Sequence, residues 1–504
     1  MKKRKSFCSL LLAAVLLLLS GSAAAAAKPV QKVPLIYIHG FFSDSIYETR
    51  GDVESKKLWP PDKSLFLNDL KNAAPELLKD LTLQRWDELL DRSLAIANPV
   101  FSPLYYDESG TPKDESGAEA NDPAANAAQG EGSFRYDWRA DPLETAESLN
   151  RFIASVCEAA GTTQVDVYAH SFGGIVLLSY LTVYGNERIR AVVFDSVAIY
   201  GESFNGELMT GQVTLDAHGL YNYYNSVLAS MLPYHAIASE LFGAAERLGL
   251  IDLLSRLGNE AIRHLKTRII REFLLPLYCN WPSVWAMVPD EYLDAAMHYV
   301  FDELYAGQDH TALQQKIQTY NTQVRVHKAE TLRALNQTAN VYVLSRTGFA
   351  SIPLTPSCGN LSDGIVDTKY SSFGATTSDY GETLPDSVLE NTNPAYLSPE
   401  KDIDASTCLF PEQTWFLRNT RHTLSNDEAL IAALLNEQTQ ATVNTFAAFP
   451  RFLIYDDSTE TLLPDSGSQT PGLLQRIRLL VADFKRLLSD VLQPLTSRFF
   501  KNAG

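Results

Sequence analysis

The chain has 504 residues, 45% of them hydrophobic and 10% aromatic, a composition that fills a large core and excludes a disordered chain. Its 60 acidic residues outnumber 42 Lys and Arg, and the net charge of −18 argues against a nucleic-acid-binding surface. No zinc or phosphate-loop pattern occurs, so no metal or cofactor is expected.

Residues 1–27 carry four basic residues, an apolar run from Leu10 to Leu19 and then alanines that fit a cleavage site near Ala27. This is the pattern of an export signal, and it predicts a secreted or periplasmic mature protein. Cys8 precedes the apolar run, whereas a lipid-attachment cysteine would follow it. No second apolar run is long enough to cross a bilayer. From 28 to 200 the sequence reads as the first part of a sheet domain. "KVPLIYIHGFF" (32–42) is a buried strand entering a loop, and 108–132, polar and rich in small residues, is expected to be a flexible insertion. "FRYDWR" (134–139) reads as a short strand, 143–160 as an amphipathic helix and "RAVVFDS" (190–196) as another strand. Strand and helix in alternation imply a mostly parallel sheet covered on both faces.

From 201 to 337 the pattern is almost wholly helical, which predicts a cap inserted into the sheet domain. The sheet resumes at "ANVYVLSRT" (339–347), and 338–440 is read as its second part. Residues 441–504 form an extension. Within it, Leu473, Leu474, Ile477, Leu480, Val481, Phe484, Leu487, Leu488 and Val491 make one apolar helical face, which either touches a membrane or packs on the protein. Four cysteines follow the leader. Cys157 shares a helical face with Leu149, Phe152, Ile153 and Val156 and reads as a buried thiol, whereas a Cys358–Cys408 bridge is expected in an oxidising compartment.

The chemistry centres on "QVDVYAHSFGGIVLLSYL" (164–181). Val165, Val167 and Ala169 alternate as a strand, and Ile175, Leu178 and Leu181 recur at helical spacing, so Ser171 stands on a strand-to-helix turn. Ala169, Gly173 and Gly174 are small enough for the tight turn that exposes a nucleophilic serine. Such a serine needs a histidine to take its proton and a carboxylate to orient that histidine. On a turn of this kind the acid and then the histidine follow in the chain. Of nine histidines only His422 lies beyond residue 327, in a loop leading into a helix, and it is the expected base. Two acids compete: Asp363 in "NLSDGIVDTKYSS", which is preferred, and Asp195 at the end of the strand after the turn. The backbone N–H groups of Phe41 and Phe172 are expected to bind the oxyanion, with His39 and Gly40 shaping the first of these loops. Phe42 and Trp59 are candidates for lining a substrate pocket, although Trp59 can equally serve packing. His170 is read as packing, and Asp137 and Arg139 as braces for neighbouring loops.

Taken together, "PLIYIHGFFSDS", "KLWP", "YDWR", "VYAHSFGGIVLLSYL", "SVWAMVP", "SDGIV" and "RHTLSNDEALIAAL" resemble the lecithin:cholesterol acyltransferase family of α/β hydrolases, including its bacterial lipase-like members. The resemblance implies an α/β-hydrolase fold with a helical cap, Ser171, Asp363 and His422 as the triad, and activity on acyl esters of lipids. Ala169 in place of the usual Gly, His39 where many members have Pro, and "SDGIV" for "GDGTV" depart from the family pattern. Transfer of the acyl group to an alcohol or sterol, using the same residues, is the alternative within enzymology. A non-catalytic lipid-binding protein on the same scaffold is the alternative outside it.

Overall fold

The computed structural model describes residues 33–231, 234–423, 427–456, 459–467 and 480–485. The expected leader and most of the expected C-terminal helix lie outside these residues. Eight strands form the central sheet: β1 (Leu35–Ile38), β2 (Glu131–Phe134), β3 (Val165–His170), β4 (Ile189–Asp195), β5 (Asn340–Thr347), β6 (Thr414–Arg418), β7 (Phe452–Asp456) and β8 (Thr461–Pro464). Their order is β8-β7-β6-β5-β4-β3-β1-β2, parallel throughout except for the antiparallel β7–β8 pair at the edge. This is an α/β-hydrolase fold with a mostly parallel sheet. The sheet runs further than the sequence suggested, because β7 and β8 come from the region read as an extension.

Six helices place the site: α1 (Pro142–Ala160), α2 (Gly173–Tyr184), α3 (His235–Arg247), α4 (Leu250–Ile269), α5 (Lys328–Leu335) and α6 (Glu428–Asn436). Helix α1 starts where the Asp141 carboxylate accepts the Leu143 N–H, with Pro142 at its first position, and stops at left-handed Gly161. It buries Leu149, Phe152, Ile153, Val156 and Cys157, the face the sequence predicted. Helix α2 is apolar on every side and, from Gly173 to Leu181, buried on every side, between the sheet and its neighbours. With Leu332 and Leu335 of α5, these helices form one core layer, whereas Leu430 and Leu434 of α6 cover the opposite face over Val193, Leu344, Trp415 and Leu417. Strands sandwiched this way must be apolar on both faces, which is why β4 reads "IRAVVFD" without alternation.

Among the described residues, every element between β4 and β5 is helical. A helical hairpin from elsewhere in the chain, Lys63–Thr82 and Trp86–Phe101, joins this region. Arg268 of α4 bonds Asp87 and Asp91, each at 2.8 Å, and Trp86 stacks on His264. The described fragment of the tail packs here too: the buried Asp483 carboxylate accepts the N–H groups of Ala236 and Ile237 at 2.8 and 3.3 Å, at the positive end of α3.

Three expectations need correction. Residues 108–132 are not a flexible excursion. They contain a short strand, Gly117–Ala118, paired with Ile46–Tyr47, and a helix, Pro123–Gln129, and they lead directly into β2. "FRYDWR" is mostly loop: β2 ends at Phe134, and the following side chains hold loops instead. Trp138 Nε1 donates to the Asp44 carbonyl, and Arg139, fully buried, bonds Asp137 through Nε and Nη2, Ser116 Oγ and the Leu104 carbonyl while lying over the Tyr106 ring. Cys358 and Cys408 are free, not bridged. Cys358 packs against Gly219 of the helical region, whereas Cys408 lies in a separate apolar cluster with Leu361, Ile403 and Phe416.

Replacing Arg139 with Met would strand the Asp137 carboxylate without its countercharge. Arg139→Met should therefore lower the unfolding free energy by about 3–5 kcal/mol, read from urea titration.

Candidate active site

The parallel register decides which loops meet. Ile38 of β1 lies opposite Ala169 of β3, His170 opposite Asp195 of β4, and Thr347 of β5 opposite Arg418 of β6. The loops after all of these strands leave the same carboxyl-end edge of the sheet, where open α/β sheets bind their ligands.

Ser171 is the first residue beyond β3 and has φ 55°, a left-handed conformation that costs a residue with a Cβ about 1–3 kcal/mol. The turn is held from several sides. The Ser171 N–H donates to the Asp195 carbonyl at 3.1 Å, and its own carbonyl accepts from Gly174 and Ala198. A Cβ on Gly173 would fall 2.1 Å from the Ile38 carbonyl oxygen, one on Gly174 2.5 Å from Val197, and one on Gly40 2.6 Å from the Ser171 Cβ. Gly173 is thus small because two backbones cross there, and Gly174 and Gly40 because the Val197 and Ser171 side chains fill the space a Cβ would take.

His422 and Asp363 come to this serine from far along the chain. His422 Nε2 lies 2.9 Å from Ser171 Oγ, and Nδ1 lies 2.6 Å from Asp363 Oδ2. The other Asp363 oxygen accepts the Ile365 and Val366 N–H groups at 3.0 and 2.8 Å, a tight turn made at Gly364, whose φ is 95°. A carboxylate only accepts, so the bond to Asp363 assigns the proton to Nδ1 and leaves the Nε2 lone pair for the serine hydroxyl. All three residues are largely covered: Ser171 is 7% exposed and His422 6%. Val227 of the helical region packs against the Gly364 turn.

Asp195, the competing acid, is committed elsewhere. It takes both Nε and Nη2 of Arg346, at 2.8 and 2.6 Å, and the Tyr168 hydroxyl at 2.6 Å. Burial raises its pKa, but Arg346 and His170 outweigh burial and bring it down to about 2. Arg346 also bonds Asp427 at 2.9 Å. There, burial and the charge of Asp195 push the second carboxyl up to about 7 against the pull of Arg346, since one buried guanidinium cannot neutralise two carboxylates. His170 does more than pack: its Nε2 lies 2.9 Å from the His422 carbonyl, and burial, reinforced by His422, lowers its pKa to about 3, so the ring is neutral and donates. Arg346 and Asp427 were missed in the sequence. A lone arginine ending the apolar run "VYVLSR", beside a strand ending in Asp195, was the available signal.

Phe172 precedes α2, with its N–H at the positive end of that helix, and Phe41 follows Gly40 beside Ser171. Among the described residues neither the Phe41 nor the Phe172 N–H has a protein acceptor. The Phe41 ring packs on Phe172, Trp138 and Trp281. Phe42 has φ 62° and is 43% exposed. Trp59 stacks near it and donates from Nε1 to the Phe42 carbonyl at 2.8 Å, which gives that indole a bracing role in the loop. His39 bonds Ser133 Oγ at 2.8 Å. Among the described residues no group of three or more His, Cys, Asp or Glu is arranged to hold a metal ion. A hydroxyl, a neutral imidazole and a buried carboxylate in line, beside two unengaged N–H groups, form an arrangement suited to acyl transfer through the serine.

Residues 100–230 match the family model described as alpha/beta hydrolase fold. That span contains Ser171 and the strands around it but neither Asp363 nor His422. No curated protein matches the chain. One solved structure, described as the crystal structure of the Tle4-Tli4 complex, is similar over 35% of this chain and 48% of that one, at 15% identity and a TM-score of 0.19. The chain thus spans about half the length of that protein, and so low a score carries no weight for fold or site.

The shared guanidinium makes stability depend on pH. An unfolded Asp loses its proton near pH 4, whereas folded Asp427 keeps it up to about 7, so this group's contribution is complete below about pH 4 and is lost as pH rises through 7. Asp427→Asn should flatten that part of the curve of unfolding free energy against pH. An unchanged slope between pH 4 and 7 would contradict the assignment.

Proposed function

We propose that the chain is an exported serine hydrolase that cleaves acyl esters of lipids through Ser171, His422 and Asp363. The observation that carries this is the 2.9 Å and 2.6 Å pair of contacts linking serine, imidazole and carboxylate, with the serine strained on a positive-φ turn. His422 Nε2 takes the Ser171 proton as Oγ attacks the ester carbonyl carbon. The negative oxygen of the tetrahedral intermediate is bound by the Phe41 and Phe172 N–H groups. Collapse expels the alcohol, which takes the proton from Nε2 and leaves the acyl group on Oγ. Water then attacks the acyl carbon while His422 removes its proton, and the serine is regenerated with release of the fatty acid. Asp363 stays ionised and holds the imidazole in the tautomer that can accept a proton.

The lipid assignment rests on apolar side chains beside the serine, of which Phe42 is exposed and Trp138 and Trp281 are buried beneath it, and on exposed apolar side chains elsewhere. Phe41, Phe42, Trp59, Trp138 and Trp281 form a continuous aromatic cluster beside the serine. Leu241 and Leu248 in and beside α3 are 68% and 75% exposed, and Val481 and Phe484 flank the Asp483 that bonds the start of α3 and are themselves exposed, which supplies apolar side chains for peripheral contact with lipid. The motif resemblance to the lecithin:cholesterol acyltransferase family points the same way. Transfer to an alcohol is the second reading, favoured by the cover over Ser171 and His422, which limits the access of water.

Ser171→Ala and His422→Ala should each reduce ester hydrolysis by about 10³-fold or more with the fold intact, because triad members act as a unit. Wild type should be labelled by a fluorophosphonate and Ser171→Ala should not. Absence of labelling in the wild type would leave a binding protein. Catalytic efficiency should also rise from acetyl to octanoyl esters, since each buried methylene adds about 0.8 kcal/mol, roughly fourfold. A steady preference for acetyl would refute the lipid assignment. New ester exceeding free acid in the presence of a long-chain alcohol would favour the transferase.

A further inference from the structure

The base loop is a short one. His422 follows β6 by four residues and α6 begins at Glu428, so the histidine's position depends on what ties down the segment between Arg418 and Glu428. The His422 N–H donates to the Asp363 carbonyl at 3.0 Å. Its carbonyl accepts from His170 Nε2 at 2.9 Å. On either side of it, one guanidinium holds both ends of the loop. Arg346 Nη1 donates to the Arg421 carbonyl at 3.0 Å, and Nη2 reaches the Asp427 carboxylate at 2.9 Å. That carboxyl makes no capping bond to the helix it precedes and instead faces Arg346 and Asp195.

The arginine is itself fixed by Asp195, whose carboxylate takes Nε and Nη2 and whose main-chain carbonyl holds the Ser171 N–H. Asp195 is therefore tied to the nucleophile's turn through its backbone and to the base's loop through its side chain and Arg346. Both residues are buried, Asp195 completely and Arg346 at 2% exposure. A buried arginine needs its carboxylates, and a buried pair of carboxylates needs the arginine. A guanidinium spreads five N–H donors over three nitrogens in one rigid plane and so spans Asp195, the Arg421 carbonyl and Asp427 together; a lysine has its three donors on one nitrogen and cannot span them.

We propose that Arg346, anchored by Asp195 and gripping Arg421 and Asp427, is the positioning residue that sets the distance between His422 and Ser171. The proposal rests on the triad assignment above. Arg346 touches no substrate, and its effect passes through the base. Displacing a reacting group by about 1 Å costs on the order of 100-fold in rate, whereas substrate binding, which does not depend on the imidazole's placement, changes little.

The test uses the full-length wild type, Arg346→Lys, Asp427→Asn and Ser171→Ala. Each is labelled to completion with a fluorophosphonate to count active sites, turnover of a p-nitrophenyl ester is expressed per labelled site, and folding is followed by circular dichroism. Arg346→Lys keeps a cation between the two carboxylates and should keep the fold and the number of sites, while kcat per site falls about 100-fold and KM stays within about twofold. Asp427→Asn, which leaves the Asp195–Arg346 pair in place, should fall about tenfold. Fewer labelled sites with unchanged kcat per site would mean that Arg346 only supports folding, and this would overturn the proposal. If Arg346→Lys does not fold, Asp427→Asn decides, and wild-type kcat per site there overturns it. Labelling of Ser171→Ala as strong as that of wild type would instead remove the triad assignment and the proposal with it.

Discussion

The site depends on how closely two backbones approach at Gly173. Any side chain there would collide with the Ile38 carbonyl. Without that approach β1 could not lie in register beside β3, and the loop after β1 could not bring Gly40 against Ser171. The approach also requires the left-handed turn at Ser171, a strain of about 1–3 kcal/mol that the surrounding sheet must offset. It does so with the apolar strands and α2, where each fully buried Val, Leu or Ile side chain contributes about 1.5–3 kcal/mol. The strained residue thus sits at the end of the most deeply buried part of the fold, where the turn is least able to relax.

Burial creates a second demand. The sheet's carboxyl edge gathers Asp195, Arg346 and Asp427 within hydrogen-bond reach of one another and nearly out of water. Apolar residues of similar volume would serve folding at least as well as such a cluster. The cluster is intelligible because of what it reaches: the main chain on both sides of His422 and, through the Asp195 carbonyl, the main chain of Ser171. Arg139 with Asp137 makes a comparable buried arrangement beyond β2, at the end of the sheet, where it reaches the Leu104 carbonyl and the Ser116 hydroxyl.

How much of this was legible in the sequence follows from the range of each interaction. The Ser171 turn was legible because its demands are local: a strand, small residues and a helix within eighteen positions. His422 and Asp363 were legible because chain order and elimination left few candidates, although nothing in "SDGIV" alone separates an acid from a loop aspartate. Arg346 was not, since its meaning depends on β4 and β5 lying side by side 151 residues apart. The hairpin at 63–101 was missed for the same reason: its partner, α4, begins about 150 residues later. The Cys358–Cys408 bridge failed because an oxidising compartment permits a disulfide without bringing two sulfurs together.

The helical region between β4 and β5 meets the rest of the chain in several ways. Where Val227 meets the Gly364 turn, the contact is apolar and close. The hairpin meets α4 through solvent-screened ion pairs, Arg268 with Asp87 and Asp91, and through the Trp86 ring stacked on His264. The described fragment of the tail, residues 480–485, meets the start of α3 through the buried Asp483 carboxylate. Strain and buried charge hold the reacting atoms in one arrangement, whereas the hairpin joins α4 through exposed side chains. The triad's geometry therefore rests on the strained turn and the buried charges, and not on the contacts that join the hairpin and the tail fragment to α4 and α3.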